Sequence, residues 1–204
     1  AEAGDGLSRA LARGSISRAE YALDRARSFF RLGKVRARYG HVVKPGPRDL
    51  TMVLRDLAAL KSELSPSQRS VADRFFLRPD DTVGEPFGSP YTGTSDSFCT
   101  GDFCVHWATG AGDSNLPPAT DAASANGRPD FVDAAITTMT ETWTSEIDTV
   151  GFRSPKGDST SGNPGPDGTL DLYLADIGSD GVYGYCTTDD PNIENGYQFY
   201  DMSS

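Results

Sequence analysis

The side chains best suited to chemistry lie between positions 121 and 133 and offer oxygen atoms to a hard cation. They are Asp121, Ser124, Asn126, Asp130 and Asp133, around the pair Gly127 and Arg128. An EF-hand loop places side-chain oxygens at positions 1, 3, 5, 9 and 12, glycine at position 6 and a backbone carbonyl at position 7. With Gly127 at position 6, the Arg128 carbonyl takes position 7, and the oxygens from Ser124 onward take positions 3, 5, 9 and 12. The spacing predicts a structural Ca²⁺ site.

The start of this loop departs from the template. Position 1 falls on Ala122, so Asp121 lies one residue too early. Either the loop contains a one-residue insertion and Asp121 still reaches the ion, or the site is weakened or has lost Ca²⁺ binding. The alternative interpretation is a turn rich in Asp and Asn, in which Asp130 caps the following helix.

Catalytic motifs are missing from the chain. Its two histidines, His41 and His106, are far apart, and HExxH, which would present two zinc ligands on one helix face, does not occur. The sequence also lacks GxSxG, a P-loop and a GxGxxG motif after a strand. His106 is therefore interpreted as a structural polar residue in a strand, and this chain alone is not expected to hydrolyse peptides.

Charge divides the chain near residue 78. Residues 1–78 contain 16 Lys and Arg against 8 Asp and Glu, whereas residues 79–204 contain 3 against 21. Gly, Pro, Ser and Thr cluster over 79–98, which predicts a linker between a helical pro-like region at 1–78 and an α/β part at 99–204. The acidic second part disfavours nucleic-acid binding, and no apolar run reaches the length of a membrane span.

The three cysteines follow no zinc-binding spacing. A turn between Cys99 and Cys104 would allow a disulfide and would leave Cys186 for a partner outside this sequence. Disulfides are typical of secreted proteins, and the first residues resemble a mature N-terminus from which a signal peptide was removed. We therefore expect a secreted, extracellular protein.

Hydrophobic periodicity predicts an α+β protein, with a basic all-helical N-terminal segment followed by a mixed β-sheet with a packed helix. The capping-box pair Ser17 and Glu20 predicts a helix that ends at Gly33. Three more helices are predicted: Arg48–Leu64, a segment from Pro66 to about Phe76, and a helix whose apolar stripe runs from Val132 to Val150. The predicted strands are 102–108, 169–174, 182–186 and 197–202.

Four motifs in this order resemble a family of secreted bacterial zinc metallopeptidases with a zincin-like fold. They are Phe103–Trp107 (FCVHW), Asn126–Val132 (NGRPDFV), Asp171–Ile177 (DLYLADI) and Gly181–Cys186 (GVYGYC). Ala22–Ala26 and Arg38–Gly40 also resemble the N-terminal region of that family. The resemblance covers most of the chain, although the family's D-x-N-x-N-G pattern is altered by the extra residue after Asp121.

The resemblance implies an active-site helix beyond Ser204, on which HExxH binds catalytic Zn²⁺ and supplies a glutamate as general base. The chain would then be the N-terminal portion of a secreted zinc metalloendopeptidase. Its partners would be the C-terminal remainder of its own protein, which would also pair with Cys186, and a protein or peptide substrate. The alternative is a non-enzymatic, Ca²⁺-dependent protein-binding module. An HExxH encoded beyond Ser204 would distinguish the two.

Overall fold

The computed structural model describes residues 5–81, 90–155, 157, 168–178 and 184–187. These residues belong to two compact units. Unit 1 comprises residues 5–77, 177–178 and 184–187, and unit 2 comprises residues 78–81, 90–155, 157 and 168–176. Six α-helices and a three-stranded mixed sheet lie within these ranges, which confirms the α+β class. None of the helices in them is long and apolar enough to cross a bilayer.

Unit 1 is built from five short helices. They are α1 (Gly6–Ala12), α2 (Arg18–Phe30), α3 (Leu32–Tyr39), α4 (Leu50–Leu60) and α5 (Pro66–Asp73), and a 3₁₀ turn at Lys61–Glu63 follows α4. Helix α2 packs against α4 and buries Leu23, Leu54 and Leu57. Burial of these leucines removes apolar surface from water and holds the two helices together.

Two capping boxes define the starts of α2 and α5. The Ser17 hydroxyl accepts from the Glu20 amide at 3.1 Å, and the Glu20 carboxylate accepts from the Ser17 amide at 2.9 Å. Ser65 and Gln68 repeat the arrangement at α5, and the Gln68 side chain donates to the Glu20 carboxylate at 3.0 Å. The predicted starts of both helices are confirmed, and the hydrogen bond from Gln68 to Glu20 ties the two caps together.

The predicted end of α2 at Gly33 is wrong. The helix ends at Phe30, since Arg31 has φ −136° and ψ 42°, and Gly33 lies inside α3. The turn at Arg31 lets α3 fold back, so that the Tyr39 hydroxyl donates to the buried Asp24 carboxylate at 2.6 Å. This contact between helices is a tertiary feature that helical periodicity within one segment does not contain.

Unit 2 contains a sheet with the strand order β1-β2-β3. The strands are β1 (Ser95–Cys99), β2 (Phe103–Ala108) and β3 (Leu170–Leu174). Strand β1 pairs with β2 antiparallel, and β3 pairs with β2 parallel. The predicted strands at 102–108 and 169–174 are confirmed. Strand β1, however, begins inside the stretch that its composition marked as a linker.

The structure describes only a few residues of the other two predicted strands. Residues 184–187 are described and form no strand. The remainder of the segment at 182–186 and all of the segment at 197–202 lie outside the described residues.

Helix α6 (Asp130–Trp143) covers one face of the sheet. Its Val132 packs with Phe103, Val105 and Trp107, the alternate residues of β2. A π-helical turn at Thr144–Thr149 follows α6 and shifts the helical phase. The predicted apolar stripe therefore holds through Trp143 but not to its end, because Val150 is 61% exposed.

Candidate functional site

A cluster of polar side chains lies on the face of the sheet that points away from α6. Side chains two residues apart in a strand share a face, so Cys104 and His106 of β2 lie together. In the parallel register, Asp171 is opposite Cys104 and Tyr173 is opposite His106. We call Cys104, His106, Asp171 and Tyr173 the polar face.

His106 and Asp171 form a buried pair at the centre of this face. His106 Nε2 lies 2.7 Å from Asp171 Oδ1, and because an ionised carboxylate only accepts, the imidazole N–H donates. The side chains are 5% and 8% exposed. The Tyr173 ring stacks on the imidazole at 4.5 Å, and Arg78 Nη1 lies 3.9 Å from Asp171 Oδ2. The imidazole is thus held by a hydrogen bond at its edge and by ring stacking on its face.

Asp80 and Tyr91 also lie close to the pair of His106 and Asp171. Burial raises the pKa of the Asp80 carboxyl, while the charge of His106 opposes that rise. Burial also raises the pKa of Tyr173, and the charge of Asp80 adds to it. The Tyr91 hydroxyl lies 2.9 Å from the Leu174 carbonyl and 3.2 Å from the His106 carbonyl, so it connects β3 with β2. The cluster is therefore desolvated and carries charges of both signs.

The predicted disulfide between Cys99 and Cys104 is confirmed. It joins directly opposed residues of β1 and β2, with a Cα–Cα distance of 4.1 Å. Cys99 is exposed, whereas Cys104 is fully buried. In unit 1, Cys186 has a free thiol, and its amide donates to the Thr51 hydroxyl.

One group of three metal-ligand side chains occurs in the described part of the chain. The Cys104 sulfur, a nitrogen of His106 and a carboxylate oxygen of Asp171 all lie within 4.8 Å of one another. Sequence reasoning did not find this group. His106 is a single histidine outside any zinc motif, and Asp171 alternates with Leu170 and Leu172, so neither residue carries a local metal-binding signal. Only the register between β2 and β3 brings the three together.

In the structure, side chains of the predicted Ca²⁺ loop form hydrogen bonds with one another, and the Asp133 carboxylate accepts most of them. Asp133 Oδ2 accepts from Ser124 Oγ at 2.7 Å and from Asn126 Nδ2 at 2.8 Å, and Oδ1 accepts from Arg128 Nε at 2.9 Å. The Ser124 hydrogen bond, together with those from Arg128 and Asn126, lowers the pKa of Asp133. The Arg128 guanidinium also lies 4.6 Å from the centre of the Phe98 ring, which connects the loop to β1.

The other two carboxylates close the loop through backbone amides. Asp121 accepts from the amides of Asn126 and Gly127, at 3.2 and 2.9 Å. Asp130 accepts from the amides at positions 122 and 123, at 3.0 and 3.1 Å. Gly127, with φ 84°, and Ala125, with φ 48°, adopt left-handed conformations that turn the chain back toward Asp121.

The donor set of this loop suits Ca²⁺ in chemistry, since it offers three carboxylates and two neutral side-chain oxygens. The carboxylates do not converge, however. Among the His, Cys, Asp and Glu side chains that the structure describes, only Cys104, His106 and Asp171 form a group of three with ligand atoms within 4.8 Å of one another. Ca²⁺ binding therefore requires the carboxylates of Asp121, Asp130 and Asp133 to move closer together.

Comparison with protein-family models, with curated proteins and with solved structures found no match to this chain.

Proposed function

We propose that the chain is the N-terminal portion of a secreted zinc metallopeptidase and that unit 2 is a zincin-like sheet that holds a protein or peptide substrate. This proposal rests on the packing of three of the four motifs that resemble the metallopeptidase family. Phe103–Trp107 lies in β2, and Asn126–Val132 leads into α6. The third motif begins in β3 and stays in unit 2 through Asp176, whereas its last residue, Ile177, belongs to unit 1. Motifs that are separate in sequence thus contribute to one sheet-and-helix unit.

An edge strand supports the substrate-binding part of the proposal. In the described ranges β1 pairs with β2 on one side, and four of its five residues are exposed. An exposed strand edge binds an extended peptide through main-chain hydrogen bonds. The disulfide of Cys99 and the contact of Phe98 with Arg128 hold β1 in place for such pairing.

The catalytic zinc belongs, in this proposal, to a helix encoded beyond residue 204. The two histidines of the chain, His41 in unit 1 and His106 in unit 2, cannot form HExxH. A zinc ion supplies a water nucleophile at neutral pH, whereas the residues of this chain would bind and orient the substrate.

The test compares the 204-residue chain with a version extended through the downstream coding region. The extended protein should cleave casein and unstructured peptides, with loss of activity in EDTA and recovery on addition of Zn²⁺, and the 204-residue chain should be inactive. The proposal is wrong if no HExxH is encoded within about a hundred residues, the scale of one small domain. EDTA-sensitive cleavage by the shorter chain would contradict it equally.

We also propose that Ca²⁺ binds the loop between Asp121 and Asp133. Ca²⁺ at a hundredfold excess over its Kd should then raise the free energy of unfolding by about 2.7 kcal/mol, because the ion binds only the folded loop. Thermal melts with and without the ion measure the gain. Asp133→Asn should abolish it, and Asp148→Asn, a change at an exposed site beyond α6, should not. No shift at millimolar Ca²⁺ would contradict this proposal and leave the loop as a hydrogen-bonded turn around Asp133.

The second candidate function is a non-enzymatic, Ca²⁺-dependent protein-binding module. The edge strand β1 favours it as well, because β-strand pairing needs no catalytic residue. Absence of HExxH from the downstream sequence, together with a Ca²⁺-induced rise in stability, would support the module over the peptidase.

A further inference from the structure

We propose that Cys104, His106 and Asp171 form a redox-controlled Zn²⁺ site, which becomes available when the Cys99–Cys104 disulfide is reduced. This site is separate from the zinc helix of the proposed peptidase and does not depend on that function. It would bind the metal within unit 2, between β2 and β3.

The positions of the three ligands support the site. Cys104 and His106 project from one face of β2, and Asp171 is the register partner of Cys104 on β3. Their ligand atoms lie within 4.8 Å of one another. Zinc bonds of about 2.0–2.3 Å in a tetrahedron place ligand atoms about 3.5 Å apart, so side-chain shifts of about 1 Å are enough. Rigid strands therefore preset most of the geometry.

The ligand types select the metal. A thiolate, an imidazole and a carboxylate suit Zn²⁺, whereas Ca²⁺ and Mg²⁺ prefer oxygen ligands alone. Three protein ligands leave one tetrahedral position for water. The charges of the Cys104 thiolate and the Asp171 carboxylate offset those of the ion. Arg78, 3.9 Å from Asp171 Oδ2, can keep its contact with the second carboxylate oxygen.

The disulfide controls the site because a sulfur bonded to Cys99 carries no charge to bind zinc. A dithiol reductant reaches the exposed Cys99 rather than the buried Cys104. Its thiolate attacks Cys99 Sγ, the S–S bond breaks, and the electron pair goes to Cys104 Sγ, beside His106. The second thiol of the reductant then releases Cys99 as a thiol, and the dithiol becomes a disulfide. Zn²⁺ takes the place of a proton on Cys104.

The test uses the full 204-residue chain with Cys186→Ala in every sample, so that only Cys99 and Cys104 can supply a thiolate. Co²⁺ replaces Zn²⁺ as a probe, because a cobalt–thiolate bond gives a charge-transfer absorption in the near ultraviolet. Reduced chain should bind one Co²⁺ with this absorption, Zn²⁺ should displace it, and oxidised chain should bind neither ion.

A matched pair of variants separates the site from the loss of the disulfide. Cys99→Ser and Cys104→Ser both remove the S–S bond, but only Cys99→Ser leaves the buried thiol. Cys99→Ser should bind Co²⁺ without reductant, and Cys104→Ser should bind at least about 100-fold more weakly, since a lost ligand costs more than the 10–100-fold of an outer partner. His106→Gln in the Cys99→Ser background should weaken binding to a similar extent.

Three results would overturn the proposal. The first is equal Co²⁺ binding by Cys99→Ser and Cys104→Ser. The second is no thiolate absorption in the reduced chain. The third is a reduced chain that lacks the tertiary circular dichroism of Trp107 and Trp143 and does not regain it with Zn²⁺, because the site requires the paired strands.

Discussion

Replacement of Phe103 by alanine should lower the free energy of unfolding of unit 2 by about 3–5 kcal/mol, the usual cost of removing a buried phenylalanine. Phe103 is 2% exposed, lies on β2, and its ring centre is 6.4 Å from that of Trp143 on α6. The truncated side chain would leave a cavity between sheet and helix. Urea unfolding followed by tryptophan fluorescence measures the loss, because Trp107 and Trp143 are the two tryptophans of the chain and both lie in unit 2.

Phe131→Ala is the matched control, since Phe131 is 53% exposed on α6. Its effect should stay within about 0.5 kcal/mol, as is usual for surface substitutions. Equal losses for the two variants would mean that α6 does not cover β2 through Phe103. The placement of the polar face on the opposite side of the sheet would then lose its support.

Replacement of Asp171 by alanine should cost unit 2 about 3–5 kcal/mol, the range for breaking a buried ion pair by removing one partner. The change leaves the His106 N–H without its acceptor and removes the negative charge beside Arg78. Asp171→Asn should cost less, because the amide oxygen still accepts from the imidazole. The same fluorescence-detected urea titration, on the oxidised chain without metal, gives both values.

Asp148→Ala is the control for a surface carboxylate in the same unit. Asp148 is exposed beyond α6 in unit 2, where water solvates its side chain and where both tryptophans report unfolding. Its loss should stay within about 0.5 kcal/mol. A cost for Asp171→Ala as small as that for Asp148→Ala would show that water reaches the polar face, and would contradict the desolvated cluster on β2 and β3.

The most predictable parts of the fold were those whose signals are local. Capping boxes at Ser17 and Ser65 mark the starts of α2 and α5, because each box joins residues three apart. Apolar residues alternate along β2 and β3 and have helical spacing along α6, and in the structure they pack together in one core. The disulfide closes over five residues, which a single turn brings together.

Two elements with weak local signals, β1 and α3, were missed. Strand β1 has little buried surface, so its sequence of Ser, Asp and Phe98 carries no hydrophobic alternation and resembles a linker. Helix α3 is short and is separated from α2 by the backbone of Arg31 alone. Its Val35 packs in the cluster with Leu7 of α1, and its Tyr39 donates a hydrogen bond to Asp24. Both elements are positioned by partners distant in sequence.

Local sequence patterns specified α5, α6, β2, β3, the start of α2, the disulfide and the oxygen-rich loop, because these depend on residues within a few positions of one another. Tertiary structure alone decided which groups converge. The parallel register of β2 and β3 sets Asp171 beside Cys104 and His106, although 65 residues separate Asp171 from His106. The loop carboxylates, close in sequence, instead turn to separate donors. Convergence depends on backbone pairing across the sheet, which the pattern within one segment does not encode.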